Sequence, residues 1–167
     1  MENRKKVPLK NKLAYGIGTG GGNVFSQIAA AFLLNYYTDT ALIGAGAIAT
    51  MFLVCRVFDG ITNLLMGGIV DKTSTKLGKA RPWLIASAPL SFLGIVLLMN
   101  VPMGLGENGK LVYAYITYIF MSCIVYTIYG ISNTALLPLM THDKDDSTML
   151  ATFSALGNNI IGLIAGP

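Results

Sequence analysis

Charge is what this sequence has least of. Asp, Glu, Lys and Arg together make 12% of the 167 residues, about half the share of an ordinary globular protein. So few polar side chains cannot cover a soluble domain of this length, and that class is excluded. Histidine occurs once, at His142, and no metal cluster or catalytic triad can be assembled around it. The chain therefore reads as no enzyme. The two cysteines, Cys55 and Cys123, both fall in apolar runs. They read as small hydrophobes rather than as a disulfide framework. No basic stripe with interleaved aromatics is present, which excludes a nucleic-acid partner.

Hydrocarbon fills the chain instead. Hydrophobic residues make 53% of it and the mean hydropathy is +0.60, so the matching solvent is a lipid bilayer. Residues 1–12, basic and containing Pro8, read as a cytoplasmic tail. The partial transmembrane domain, 13–167, then holds apolar runs at about 13–37, 43–70, 83–101, 111–140 and 148–167. The first carries no charge for 25 residues, enough to cross about 30 Å of hydrocarbon. It is too long for a signal-peptide core and is read as a retained span. Tyr36 and Tyr37 close it as interface rings. Pro82 suits the first turn of the third span, where its missing N–H costs nothing. The reading is an all-α membrane protein with four complete spans and most of a fifth. The last run stops at Gly166-Pro167, as expected of a fragment of a longer protein.

The cations set the orientation. Five lie in the first twelve residues, four between Lys72 and Arg81, and Lys144 follows span four; Lys110 stands alone on the other side. The positive-inside rule places the N-terminus in the cytoplasm of a multi-pass plasma (inner) membrane protein.

Two charges lie well inside a run, Arg56 and Asp59. Each costs about 2.5–3.5 kcal/mol at a helix centre. With Asn63 they fall within roughly 60° of a helical wheel. That face is either an internal ion pair that sets packing or the lining of a solute or ion pathway. In span four, Tyr118, Ser122, Tyr126, Tyr129 and Asn133 occupy roughly 80° of the wheel. Such a stripe suits a hydroxyl-rich ligand, or serves as glue between helices. Asn23 and Gln27 of span one carry the same ambiguity. Gly16-Ile17-Gly18-Thr19-Gly20-Gly21 matches a dinucleotide fingerprint, but no strand precedes it. Gly16/Gly20 and Gly18/Gly22 read better as small-residue helix packing.

The loop after span two is the most specific motif. Gly68-Ile69-Val70-Asp71-Lys72, Thr73, then Gly78-Lys79-Ala80-Arg81-Pro82-Trp83, resembles the glycoside–pentoside–hexuronide:cation symporters, the melibiose permease-like branch of the major facilitator superfamily. Lys12-Leu13-Ala14-Tyr15-Gly16, Tyr36-Tyr37-Thr38-Asp39, Arg56-Val57-Phe58-Asp59 and Tyr126-Thr127-Ile128 agree with it in order along the chain. The resemblance implies a partial major facilitator N-domain, whose partner is the missing C-terminal half. It implies secondary transport of a sugar or glycoside with Na⁺ or H⁺ as coupling ion, and no other cofactor or metal. Asp59 falls on the first coupling aspartate and Asn63 on the second, with Thr127 supplying a hydroxyl. Arg56 would balance charge. Asn23 and Gly130 fall on the family's sugar-binding carboxylates, so Asn23, Tyr126, Tyr129 and Asn133 are the substrate-facing set. Asp71, Lys79 and Arg81 would form a cytoplasmic gating loop. The alternatives are a non-transporting sugar sensor or interaction protein of the same fold, and an uncoupled facilitator.

Overall fold

A computed structural model describes residues 7–28, 32–141 and 143–165; His142 lies outside them. The described residues form helices and connecting loops, without a strand. Helix α1 is Leu9–Ile28, α2 is Ala45–Lys72 and α3 is Arg81–Leu98. Helix α4 is Glu107–Met140, interrupted by a π-helical segment at Phe120–Tyr126, and α5 is Lys144–Ala165. A short π turn, Tyr36–Thr40, precedes α2.

Local chemistry explains the helix ends. Pro82 sits in the first turn of α3. The Asp143 carboxylate accepts the N–H groups of Asp145 and Asp146 at 2.9 and 3.3 Å, capping α5; the two further acids in the first turn favour the positive end of the helix dipole. Between α2 and α3, Gly78 takes φ +94°, a backbone conformation that glycine adopts without a Cβ penalty. The Trp83 indole N–H donates to Thr73 Oγ1 at 3.0 Å, so the Thr and Trp of the loop motif tie the end of α2 to the start of α3.

Four helices are long and apolar enough to cross a membrane: α2, α3, α4 and α5. Their apolar windows are largely unburied, 17% for α2 and 6% for α5, and Leu53, Leu64, Phe92 and Leu163 point outward. A bundle that turns hydrocarbon outward is built for lipid. Helix α1 is different. It starts at Leu9, four residues before the expected span, and so takes Lys10 and Lys12 into the helix. Lys12 is not a solvated tail cation: its ammonium pairs with Asp146 at 2.6 Å, with both side chains buried. Tyr37 is fully buried rather than at an interface, because the Tyr36–Thr40 turn folds it into the core.

The helices pack in two groups. Met51 and Cys55 of α2, Leu98 of α3, and Met121, Cys123 and Val125 of the π segment share one core with Leu33 and Tyr37. Both cysteines are free and buried, and the Cys123 thiol donates to the Cys55 carbonyl at 3.7 Å. Helix α5 lies along α1, and there glycine is required. A Cβ on Gly16 would sit 2.5 Å from the Phe153 carbonyl oxygen, and one on Gly20 2.5 Å from that of Gly157. Gly22 faces the Tyr129 ring, whereas Gly18 meets nothing. The expected small-residue packing holds for Gly16/Gly20, and the second pair is not a pair. Val7, Pro8 and Asn11 meet Lys79, Arg81 and Met140 around one cavity, so the basic segments gather at one end of the bundle.

Candidate functional site

The site is built on α2. Steps of three and four residues bring Arg56, Asp59 and Asn63 to one side of that helix. Opposite stand Tyr118, Ser122 and Thr127 of α4, and together they enclose a cavity of about 550 Å³. Asp59 is half-buried, while Arg56 and Asn63 are open to the cavity. The Ser122 hydroxyl donates to Asp59 Oδ1 at 3.4 Å. Thr62 and Thr127 face each other across the helix contact, with hydroxyl oxygens 3.5 Å apart. Among the described residues, Arg56 makes no ion pair and no hydrogen bond, with Asp59 or otherwise. The internal-pair reading of Arg56 and Asp59 is therefore set aside. Asp59 leans towards α4, and the guanidinium stands in the cavity.

Helix α4 departs from the wheel. Over Phe120–Tyr126 its hydrogen bonds close to i+5, which inserts about one residue and rotates everything downstream by about 100°. Tyr118, Ser122 and Tyr126 are then continued in the cavity by Gly130 and Thr134, a strict spacing of four. Tyr129 and Asn133 turn away from it. Tyr129 is 8% exposed and donates to the Thr19 carbonyl at 2.7 Å. The Asn133 side chain accepts from Thr19 at 3.3 Å. Both line a separate, mostly apolar groove between α1 and α3. The expected five-residue stripe is thus split, and these two members hold α4 to α1.

Asn23 also departs from its expected place. Its amide donates to Asn158 Oδ1 at 2.7 Å and to the Thr19 carbonyl at 3.1 Å, and its oxygen accepts from the Tyr126 hydroxyl at 3.0 Å. It joins α1, α4 and α5, and does not line the cavity that holds Asp59. Asp71, Lys79 and Arg81 are exposed and form no ion pair among the described residues. Sequence reasoning missed Thr62, Thr134 and Asn158. Thr62 stands three residues after Asp59, and Asn158 is a polar residue in an apolar run, so weak signals for both were present.

The cavity offers one carboxylate with hydroxyl and amide oxygens around it. That donor set suits a hard cation or a proton. The Phe52 and Tyr118 rings lie 5.0 Å apart at the same cavity, giving apolar faces beside hydroxyls, as a polyhydroxylated solute requires.

Over residues 14–166 the sequence matches the family described as MFS/sugar transport protein. The chain belongs to that family. Within it, the chain is 36% identical over 147 residues to the inner membrane symporter YicJ of Escherichia coli, covering 88% of this chain and 32% of that one. It is 31% identical over 169 residues to the isoprimeverose transporter of Lactiplantibacillus pentosus, 98% of this chain and 35% of that one. It is 32% identical over 168 residues to the glucuronide carrier protein homolog of Escherichia coli, 98% of this chain and 36% of that one. The chain spans about a third of the length of the curated relatives it matches. Membership and the apolar helices together make it a multi-pass membrane protein.

Proposed function

We propose that the chain is part of a secondary active transporter that carries a sugar or glycoside together with Na⁺ or H⁺. One observation carries this: a cavity against the middle of α2, a helix long and apolar enough to cross a membrane, whose only carboxylate among the described lining residues is Asp59, set against the oxygens of Ser122, Thr127 and Asn63. Asp59 holds the coupling ion, with Asn63 and Thr127 as neutral ligands. Tyr118 and Tyr126 present ring faces and hydroxyls to the solute. An isoprimeverose transporter and a glucuronide carrier homolog stand among the relatives at nearly equal identity, so the relatives do not choose the cargo.

The carrier sits in the plasma membrane with its N-terminus in the cytoplasm. The gathering of basic segments at one end of the bundle supports that orientation. Asp71, Lys79 and Arg81 then serve as a cytoplasmic latch, engaging the rest of the carrier in one state of alternating access.

Uptake by a carrier of the relatives' length tests the reading. Sugar uptake stimulated by Na⁺ or H⁺ is expected to lose its cation dependence in Asp59→Asn and Asp59→Cys. Unchanged coupling in both removes Asp59 from the ion site. Asn63, in place of a second carboxylate, favours one alternative, an uncoupled facilitator; uptake in the unmodified protein that no cation gradient drives would establish it.

A further inference from the structure

We infer that Asn158 of α5 is a positioning residue for solute binding: through Asn23 it fixes the ring and hydroxyl of Tyr126 at the wall of the Asp59 cavity. The inference rests on the carrier reading above and adds to it a residue that does not itself line that cavity.

Packing brings Asn158 into reach. Helices α1 and α5 approach closely because glycine meets backbone on both sides. A Cβ on Gly20 would stand 2.5 Å from the Gly157 carbonyl oxygen, and one on Gly157 would strike the Gly16 carbonyl. So close an approach lets short polar side chains bridge two helices, and Asn158, next to Gly157, meets Asn23. The Asn23 amide donates to Asn158 Oδ1 at 2.7 Å and to the Thr19 carbonyl at 3.1 Å. A carbonyl only accepts, so the NH₂ end of Asn23 has to face Thr19 and Asn158. The Asn23 oxygen is thereby turned to α4 and takes the Tyr126 proton at 3.0 Å. The direction of the relay is fixed: Tyr126 donates to Asn23, and Asn23 to Asn158. The Tyr126 hydroxyl meets a solute as an acceptor, its single proton being held on the α1 side.

Tyr126 needs holding because of its place. It is the last residue of the π segment, a closure that is rare in helices and clusters at functional sites. Moving that closure by one residue would turn the ring by about 100°. The bond to Asn23 ties the ring to a neighbouring helix and sets its rotation. Asn158 in turn holds the plane of the Asn23 amide. Without it the amide keeps the Thr19 contact alone on its NH₂ end, and its oxygen is no longer aimed at Tyr126.

The test uses the full-length carrier in proteoliposomes, with radiolabelled methyl glucoside, methyl xyloside and methyl glucuronide as probes. For a transported probe, Asn158→Ala is expected to raise KM roughly two- to tenfold, the scale of one hydrogen bond, with kcat kept. Asn158→Asp keeps an acceptor for Asn23 and should restore KM. Tyr126→Phe removes the donor of the relay, so adding Asn158→Ala to it should raise KM no further. Asn158→Leu, close in size to asparagine, gives the same reading where the alanine variant does not fold. An unchanged KM on loss of the Asn158 side chain, whatever the melting temperature does, makes Asn158 a packing contact only and overturns the assignment. So does an equal rise in KM with Tyr126→Phe already present. Both results leave the carrier reading standing. Absence of mediated uptake for every probe refutes the carrier reading, and this inference with it.

Discussion

Removing the acid partner of Lys12 should cost more than any comparable change at the surface. Asp146 accepts from the Lys12 ammonium at 2.6 Å and from the Val7 N–H at 2.8 Å. The two charged side chains are 8% and 6% exposed, so little solvent remains to take over. Asp146→Asn keeps the shape and the tie to Val7. It leaves a buried ammonium whose other hydrogen-bond partner among the described residues is the Met149 sulfur at 3.1 Å. Breaking a buried pair at one end costs about 3–5 kcal/mol. For a domain of this size, 1 kcal/mol corresponds to roughly 2–4 °C, so the lower bound predicts a fall of about 6–12 °C. Replacing both partners, Lys12→Met with Asp146→Leu, removes the orphan charge and should return stability to near the starting value or above it. Thermal unfolding of the purified protein in detergent, followed by circular dichroism, gives both numbers. A loss below about 3 °C in Asp146→Asn, or a double variant as unstable as the single one, would refute the assignment of a dry, stabilising contact.

Three further outcomes follow from the packing and the cavity. Gly157→Leu drives a side chain into the Gly16 backbone and should cost about 1–3 kcal/mol; Gly18→Ala, inside α1 but in open space, should instead raise stability by about 0.5–1 kcal/mol in the same thermal assay. Tyr129→Phe loses its bond to the Thr19 carbonyl and should lower stability by about 0.6–1.7 kcal/mol without moving the solute KM. Tyr126→Phe, at the cavity wall, should raise that KM. Ser122→Ala removes the hydroxyl donor to Asp59 and should shift the cation concentration for half-maximal uptake by about 2–10-fold. An identical cation curve would separate Ser122 from the ion site.

How far the sequence could be read depended on range. Runs without charge located the helices, because a bilayer demands apolar length and the chain supplies it locally. Arg56 and Asp59 were legible as a polar face for the same reason: two charges inside an apolar run stand out at one place, and both line the cavity on α2. The π segment was not legible, since the wheel assumes a fixed rotation per residue and i+5 closure breaks it. Tyr129 and Asn133 were therefore read onto the face that Gly130 and Thr134 hold. Lys12 and Asp146 stand 134 residues apart, and no periodicity announces such a contact. Asn23 was read as solute-facing because its partner, Asn158, lies equally far along the chain.

Solute-driven cation movement tests the central claim most directly. Proteoliposomes carrying the full-length protein, given solute without a cation gradient, should accumulate Na⁺ or H⁺ as the solute enters. In Asp59→Asn the solute should enter without the cation, or not at all. Cation entry with the solute in Asp59→Asn, at the stoichiometry of the unmodified protein, would contradict the account.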